Sequence, residues 1–197
     1  MTRYADAPQQ VIAECAYLGI DQSLSNTGLC FETPTGTVLP CVLSPPAHVV
    51  GVPRLAWFRT QLATMIAAMP RLRMVAMEGY SFGSKFQREN LGELGGLVRL
   101  VLYDAKTPSV VAAPTAVKKF LLGKGGGKKA NMIKEVFKVY GVDVDDDNEA
   151  DAFVLCQIAR GADTGRYADQ TRKEVLDSLT IIQPKSPPVA RGRLRSA

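Results

Sequence analysis

Three acidic residues of the sequence stand where a carboxylate is costly to bury. Asp21 and Glu78 each end a short apolar run, and Asp151 lies inside the apolar segment 150–155. A buried carboxylate is stable when it pairs with a cation or binds a metal ion. Because carboxylate oxygens are hard ligands, a cluster of the three predicts a site for Mg²⁺, which Mn²⁺ could also fill. Two such ions can activate a water molecule for in-line attack on a phosphodiester and stabilise the leaving oxygen.

Each acid also has an ordinary structural explanation. An Asp after a strand is often a turn or helix-capping residue, and Asp151 could face solvent on an amphipathic helix. Glu78 could pair with Lys85 or Arg88. Taken one at a time, these explanations weigh about as much as metal binding. Two carboxylates at strand ends together with one on a helix are less easily explained in this way.

The elements that must position these acids follow from the hydrophobic pattern. The pattern predicts strands at 15–21, 27–32, 37–43, 74–77 and 109–113, and helices at 55–69, 90–104, 116–122, 131–140 and 148–160. This order predicts an α/β fold with a mixed five-stranded sheet, three antiparallel strands followed by two parallel ones, flanked by helices. Since sites of open α/β sheets lie at the carboxyl ends of strands, Asp21 and Glu78 are expected to meet there.

Four segments resemble the motifs of one nuclease family, the RuvC Holliday junction resolvases. Segment 18–28, LGIDQSLSNTG, resembles their opening Gly-Ile-Asp turn followed by Thr-Gly. Glu78 with its aromatic followers is similar to their second acidic motif, segment 114–129 resembles their lysine segment, and segment 147–152 their final acidic helix. The resemblance runs in the family's order over about residues 18–160. It implies an RNase H-like fold, a homodimer and Mg²⁺-dependent cutting of branched DNA, four-way junctions above all.

The resemblance also assigns the metal ligands, with one departure. Asp21, Glu78 and Asp151 match the family's acids, but Asn148 stands where the family usually has another Asp. Asparagine offers a carbonyl oxygen without a negative charge. Asp147 precedes Asp151 by one helical turn and so shares its face. The fourth ligand is therefore expected to be Asp147 or Asn148, although helix capping also explains an Asp at this place.

Basic residues are expected to bind DNA and to assist catalysis. Lys118 and Lys129 match the family's two functional lysines, and either would stabilise charge that develops on the phosphorane. Glycines in 123–129 would let backbone amides approach phosphates, although a solvated loop is the alternative. The loop lacks the Walker A pattern. The residues expected to contact DNA are Phe82, Lys85, Lys118, Lys119, Lys124, Lys128 and Lys129. Phe82 would stack on a base, since Ser81 holds the family's aromatic position, or it is a core or loop aromatic.

The amino-acid composition limits the classes of protein to which the chain can belong. The chain has 197 residues, of which 46% are hydrophobic, enough for a core. Its 24 Lys and Arg outnumber 19 Asp and Glu, and this excess favours a polyanionic partner such as nucleic acid. The four cysteines form no CxxC pair and are expected to be buried free thiols. No signal peptide or membrane span is evident, which predicts a protein of the cytoplasm, the host cytoplasm if phage-encoded.

We expect three parts along the chain: a flexible segment 1–14, a nuclease domain 15–182 and a basic disordered tail 183–197. Three other functions remain open. A sugar-kinase or actin-like ATPase shares the sheet but has x-Gly after its first Asp, where Gln22-Ser23 stands here. A catalytically weak junction-binding module would explain Asn148. A related nuclease could act on flaps or forks, and the variations at Gln22 and Asn148 resemble phage-encoded relatives.

Overall fold

A six-stranded mixed sheet forms the centre of the computed structural model, which describes residues 2–79, 88–125 and 129–184. The strand order is β3-β2-β1-β4-β5-β6. Strands β1 to β3 are antiparallel, β1, β4 and β5 run parallel, and β6 is antiparallel to β5. The strands are β1 Tyr17–Asp21, β2 Thr27–Glu32, β3 Val38–Leu43, β4 Met74–Glu78, β5 Ser109–Ala112 and β6 Ile181–Ile182. The expected five strands and their directions are confirmed, and β6 is an additional edge strand.

Helices cover both faces of this sheet. On one face α1, α2 and α3 enclose a core with Leu18 and Ile20 of β1, and on the other α4 to α7 enclose a second core with Tyr17. The helices are α1 Gln9–Glu14, α2 Gly51–Ala67, α3 Arg88–Asp104, α4 Pro114–Leu122, α5 Lys129–Tyr140, α6 Asp147–Thr164 and α7 Gln170–Asp177. Both layers were expected from the alternation of strands and helices. The mixed α/β prediction is therefore confirmed.

Local sequence signals set the ends of the helices that matter for the site. Pro114 occupies the first turn of α4, where its missing N–H costs nothing, and Gly123 ends that helix at a φ of 74°. Gly165 ends α6 in the same left-handed conformation, at a φ of 66°. Helix α6 is thus longer than the predicted 148–160 and runs to its glycine stop.

The N-terminal segment contains two short elements that the sequence did not predict. Residues Tyr4–Asp6 form a 3-10 turn, α1 follows, and Ile12 is fully buried. The ring of Tyr4 stacks on Phe31 of β2 with 6.0 Å between the ring centroids. These apolar contacts attach the segment to the sheet, although its composition is largely polar. Of the expected tail, residues 185–197 lie outside the described residues.

Candidate active site

Asp21 and Glu78 end two adjacent parallel strands. The β1–β4 ladder pairs Ile20 with Met77, so the next residue on each strand is the acid. Asp21 is only 7% exposed, and Glu78 is half-buried. Parallel strands end at the same edge of the sheet, as the sequence predicted. The structure therefore brings the backbones of these two residues together at the carboxyl end of the sheet.

A side-chain hydrogen bond closes the gap where the β1–β4 ladder stops. The amide nitrogen Nε2 of Gln22 donates to the backbone oxygen of Glu78 over 2.8 Å. On the other side of β4, the Gly79 amide donates to the Ala112 oxygen over 2.7 Å. The strand end that carries Glu78 is thus tied to both of its neighbours. The role of Gln22 was not foreseen, because nothing in its spacing indicates a long-range contact.

Helix α6 crosses β1 and β2 at backbone contact distance. An ideal Cβ atom on Gly28 would lie 2.3 Å from the Asn148 backbone oxygen, and one on Gly19 would lie 2.0 Å from the Ala152 oxygen. Gly28 is the residue opposite Asp21 in the β1–β2 ladder. The first turns of α6, which carry Asp147, Asn148 and Asp151, therefore lie over the strand pair that carries Asp21.

The acidic side chains do not form a preassembled metal cage. Within residues 2–79, 88–125 and 129–184, no three His, Cys, Asp or Glu side chains are grouped so that they could hold a metal ion. Two features still fit a hard cation. The candidate ligands are carboxylate and amide oxygens, and the backbone places the residues that carry them near one edge of the sheet. The convergence of the side chains of Asp21, Glu78 and Asp151, with Asp147 or Asn148, stays a prediction.

The acidic start of α6 is organised by two capping hydrogen bonds. The Asp146 side chain accepts a hydrogen bond from the Glu149 amide, and the Glu149 carboxylate accepts one from the Asp145 amide, each over 2.9 Å. Glu149 is only 3% exposed, and this burial raises the pKa of its carboxyl group. Because Asp146 is the N-cap, capping does not account for Asp147 or Asp151.

The far half of α6 is held by a buried carboxylate. Glu32, at the end of β2, is 1% exposed and accepts hydrogen bonds from Gln157 over 2.9 Å and from Arg160 over 2.5 Å. Burial raises the pKa of Glu32, and the opposing effect of the Arg160 guanidinium does not fully offset it. Sequence reasoning missed this cluster, since Glu32 and Arg160 are 128 positions apart. It fixes the direction of α6 across the sheet.

The described start of the glycine-rich segment, residues 123–125, lies near the same edge of the sheet as the acids. An ideal Cβ on Gly125 would lie 3.4 Å from the backbone oxygen of Thr115, in the first turn of α4. Helix α4 directly follows β5, whose Ala112 stands opposite Glu78. Lys124 is exposed and lines a shallow cleft of about 290 Å³ together with Lys134 of α5. Lys134 is a basic residue that the sequence analysis did not select.

The other expected DNA contacts have different placements. Lys118 lies half-buried on α4. Lys119 forms an ion pair with Glu174 of α7 at 2.9 Å, so part of its charge is already engaged within the chain. Lys129 begins α5. Three further candidates lie outside the described residues: Phe82, Lys85 and Lys128.

The cysteines agree with the sequence analysis. All four cysteines are free and buried, as expected. Burial raises the pKa of Cys15 and of Cys41 to about 12. None of the helices within the described part of the chain is long and apolar enough to cross a membrane.

Comparisons with known proteins identify the fold. No protein-family model matches the sequence, and no curated protein matches it either. Among solved structures, the chain resembles Thermus thermophilus RuvC at 20% identity, with a TM-score of 0.56 over 71% of this chain and 89% of that one. It resembles T. thermophilus RuvC in complex with Holliday junction substrate at 20% identity, with a TM-score of 0.59 over 71% and 88%. The chain therefore has the RNase H-like fold of RuvC.

Proposed function

We propose that this protein is a metal-dependent DNA endonuclease that resolves four-way junctions. The observation that carries the proposal is that Asp21 and Glu78 end adjacent parallel strands, while the first turns of α6 pack over the β1–β2 pair that carries Asp21. Exposed Lys124 lies in a loop whose backbone approaches the same edge. The shared fold supports the substrate class, since one of the similar structures is bound to Holliday junction DNA.

The cation would be held by oxygen ligands from three elements. Asp21, Glu78 and Asp151, with Asp147 or Asn148 as the fourth ligand, are the residues that would hold Mg²⁺, and Mn²⁺ would substitute for it. When bound, the metal supplies activation of a water molecule and stabilisation of the leaving 3′ oxygen. A bound cation would offset the repulsion between these like charges. The strand ends and α6 would hold the backbones of these residues in place.

The basic residues would act on the phosphate groups. Lys118 or Lys129 would stabilise the negative charge that develops in the transition state. Lys85, Lys119, Lys124 and Lys128 would contact the phosphates of the branched DNA, and Phe82 would stack on an exposed base. A homodimer would present two such sites, one for each of the opposing strands of the junction. Dimerisation and these individual contacts are parts of the proposal.

One observation favours a second candidate function. Asn148 lies against Gly28 at the place where the family carries another acid. An uncharged residue there lowers the negative charge that attracts a divalent cation. The second candidate is therefore a protein that binds junctions but cuts them weakly.

A nicking assay separates these functions. Purified protein is incubated with a four-way junction, a flap and a linear duplex of the same sequence, with Mg²⁺, Mn²⁺ or a chelator. A resolvase nicks the junction preferentially and only with a divalent cation. Preferential cutting of the flap would assign the protein to the flap- or fork-directed nucleases. Binding of the junction without cutting in either cation would support the second candidate, and ATP turnover without DNA would favour the sugar-kinase or actin-like ATPase alternative.

A further inference from the structure

Gln22 occupies the point where β1 leaves the sheet. The regular β1–β4 ladder ends at Ile20 and Met77. The next acceptor on β4 is the backbone oxygen of Glu78, and the Gln22 side chain donates a hydrogen bond to it over 2.8 Å. A side-chain amide thus replaces a backbone donor just past Asp21. Because the bond joins the residue after one acid to the backbone of the other, it sets how far apart Asp21 and Glu78 stand.

The orientation of the Gln22 amide follows from its partner. The Glu78 carbonyl oxygen can only accept, so the amide nitrogen must face it and the amide oxygen Oε1 must point elsewhere. Oε1 is buried, and within the described ranges it has no hydrogen-bond partner. By covalent geometry it lies within about 5 Å of the Glu78 oxygen, since amide N and O are about 2.2 Å apart. A buried acceptor without a donor is costly and commonly marks a bound water or ion.

We propose that Gln22 is a positioning residue for the candidate cation site, an inference that rests on the proposed function. Its nitrogen holds the ends of β1 and β4 at the spacing that lets Asp21 and Glu78 share a cation. Its buried oxygen would offer an acceptor to a water bound at that site. The amide nitrogen and the amide oxygen of Gln22 both belong to the residue that follows Asp21. Neither atom adds charge to the site.

The structure also supplies a glutamine that serves as a control. Gln157 is likewise half-buried, and its Nε2 donates across elements to the buried Glu32 over 2.9 Å. It belongs to the cluster that holds the far half of α6. Replacing either glutamine by methionine keeps the length of the side chain and removes one cross-element hydrogen bond. A purely structural role for Gln22 would make the two substitutions equivalent.

The test is calorimetric titration of the DNA-free protein with Mn²⁺, together with the melting temperature in chelator. Gln22→Met should weaken Mn²⁺ binding by about tenfold or more, as is typical for outer-shell partners of metal ligands. Gln22→Asn, which stays polar but is too short to reach Glu78, should weaken it similarly and keeps the test valid if the methionine variant fails to fold. Gln157→Met should lower the melting temperature and leave Mn²⁺ affinity unchanged.

The outcomes separate this inference from the function on which it rests. If Asp21→Asn removes Mn²⁺ binding while both Gln22 variants bind as the wild type does, the role of Gln22 is refuted and the nuclease proposal stands. Equal weakening by Gln157→Met would also refute it, because the effect would then reflect general stability. If the wild type shows no Mn²⁺ binding that depends on Asp21, the metal site itself is refuted, and the role of Gln22 with it.

Discussion

The backbone oxygen of Asn148 lies 2.3 Å from the place where a Cβ atom on Gly28 would be. Real side chains do not approach a backbone oxygen so closely, so helix α6 can rest on β2 only because residue 28 is glycine. Gly28 stands opposite Asp21 in the ladder. The absence of one methyl group therefore sets the distance between the acidic start of α6 and the strand that carries Asp21.

We expect Gly28→Ala to lower the free energy of unfolding by about 1–3 kcal/mol, the usual cost of an added group in a tightly packed place. The methyl group would push α6 away from β2 and move Asp147 and Asp151 from Asp21. Nicking should therefore fall more than junction binding. Urea unfolding measures the first effect, and a nicking assay beside a gel-shift titration measures the second.

Gly92→Ala is the matched control for this substitution. Among the described residues, nothing lies within 4 Å of a Cβ atom placed on Gly92 in α3, so alanine should raise the free energy of unfolding by about 0.5–1 kcal/mol through helix propensity. If Gly28→Ala were as stable and as active as Gly92→Ala, the close contact between α6 and β2 would not exist in solution.

The buried carboxyl group of Glu32 predicts a pH dependence of stability. Burial raises its folded pKa above the unfolded value, so the folded state favours the protonated form. The stability that this group contributes is complete below its unfolded pKa, about 4.3, and is lost as pH rises through the higher folded pKa. Glu32→Gln removes this titration. The free energy of unfolding of Glu32→Gln, relative to that of wild type, should therefore increase as pH rises from the unfolded to the folded pKa of Glu32.

Urea unfolding of wild type and Glu32→Gln at a series of mildly acidic to neutral pH values measures this difference. A difference that changes in the opposite direction would mean that the Arg160 ion pair, at 2.5 Å, outweighs burial and lowers the folded pKa.

The cysteines should not react in the folded protein. All four are buried, and burial raises the pKa of Cys15 and Cys41 to about 12, which leaves little thiolate near neutral pH. A colorimetric thiol reagent should therefore detect no cysteine in native protein and all four after denaturation. Rapid labelling of one cysteine in native protein would show that its element opens locally.

Lys124 and Lys134 should contribute to DNA binding through charge alone. They line one shallow cleft near the basic loop. If each contacts a phosphate, its replacement by alanine should reduce the slope of log affinity against log salt by about one and weaken all DNA sequences similarly. Lys173→Ala is the control, because Lys173 on α7 already pairs with Asp177 at 2.5 Å. Equal salt slopes for all three variants and wild type would place the DNA elsewhere.

The sequence was most informative where hydrophobic periodicity is strong. It predicted β1 and β4 with acids at their ends, since a carboxylate after a continuous apolar run is conspicuous. It missed β6, because two residues, Ile181 and Ile182, are too few to show a period. It also missed α1, where one buried residue, Ile12, packs a segment that is otherwise polar.

Contacts between distant positions were beyond sequence reasoning. The hydrogen bond from Gln22 to Glu78 joins residues 56 positions apart, and nothing in the local pattern around either residue encodes it. The same holds for the bond between Arg160 and Glu32. In the sequence Gly28 is only one residue of a motif, and its packing role becomes visible only when α6 lies against it.

The most direct test of the central claim is the Asp21→Asn variant in a nicking assay on a four-way junction with Mg²⁺, read beside a binding titration in chelator. Loss of one ligand charge at unchanged size should abolish nicking while junction affinity stays within about threefold of wild type, less than 1 kcal/mol. Undiminished nicking by Asp21→Asn would contradict a hydrolytic site built on the ends of β1 and β4.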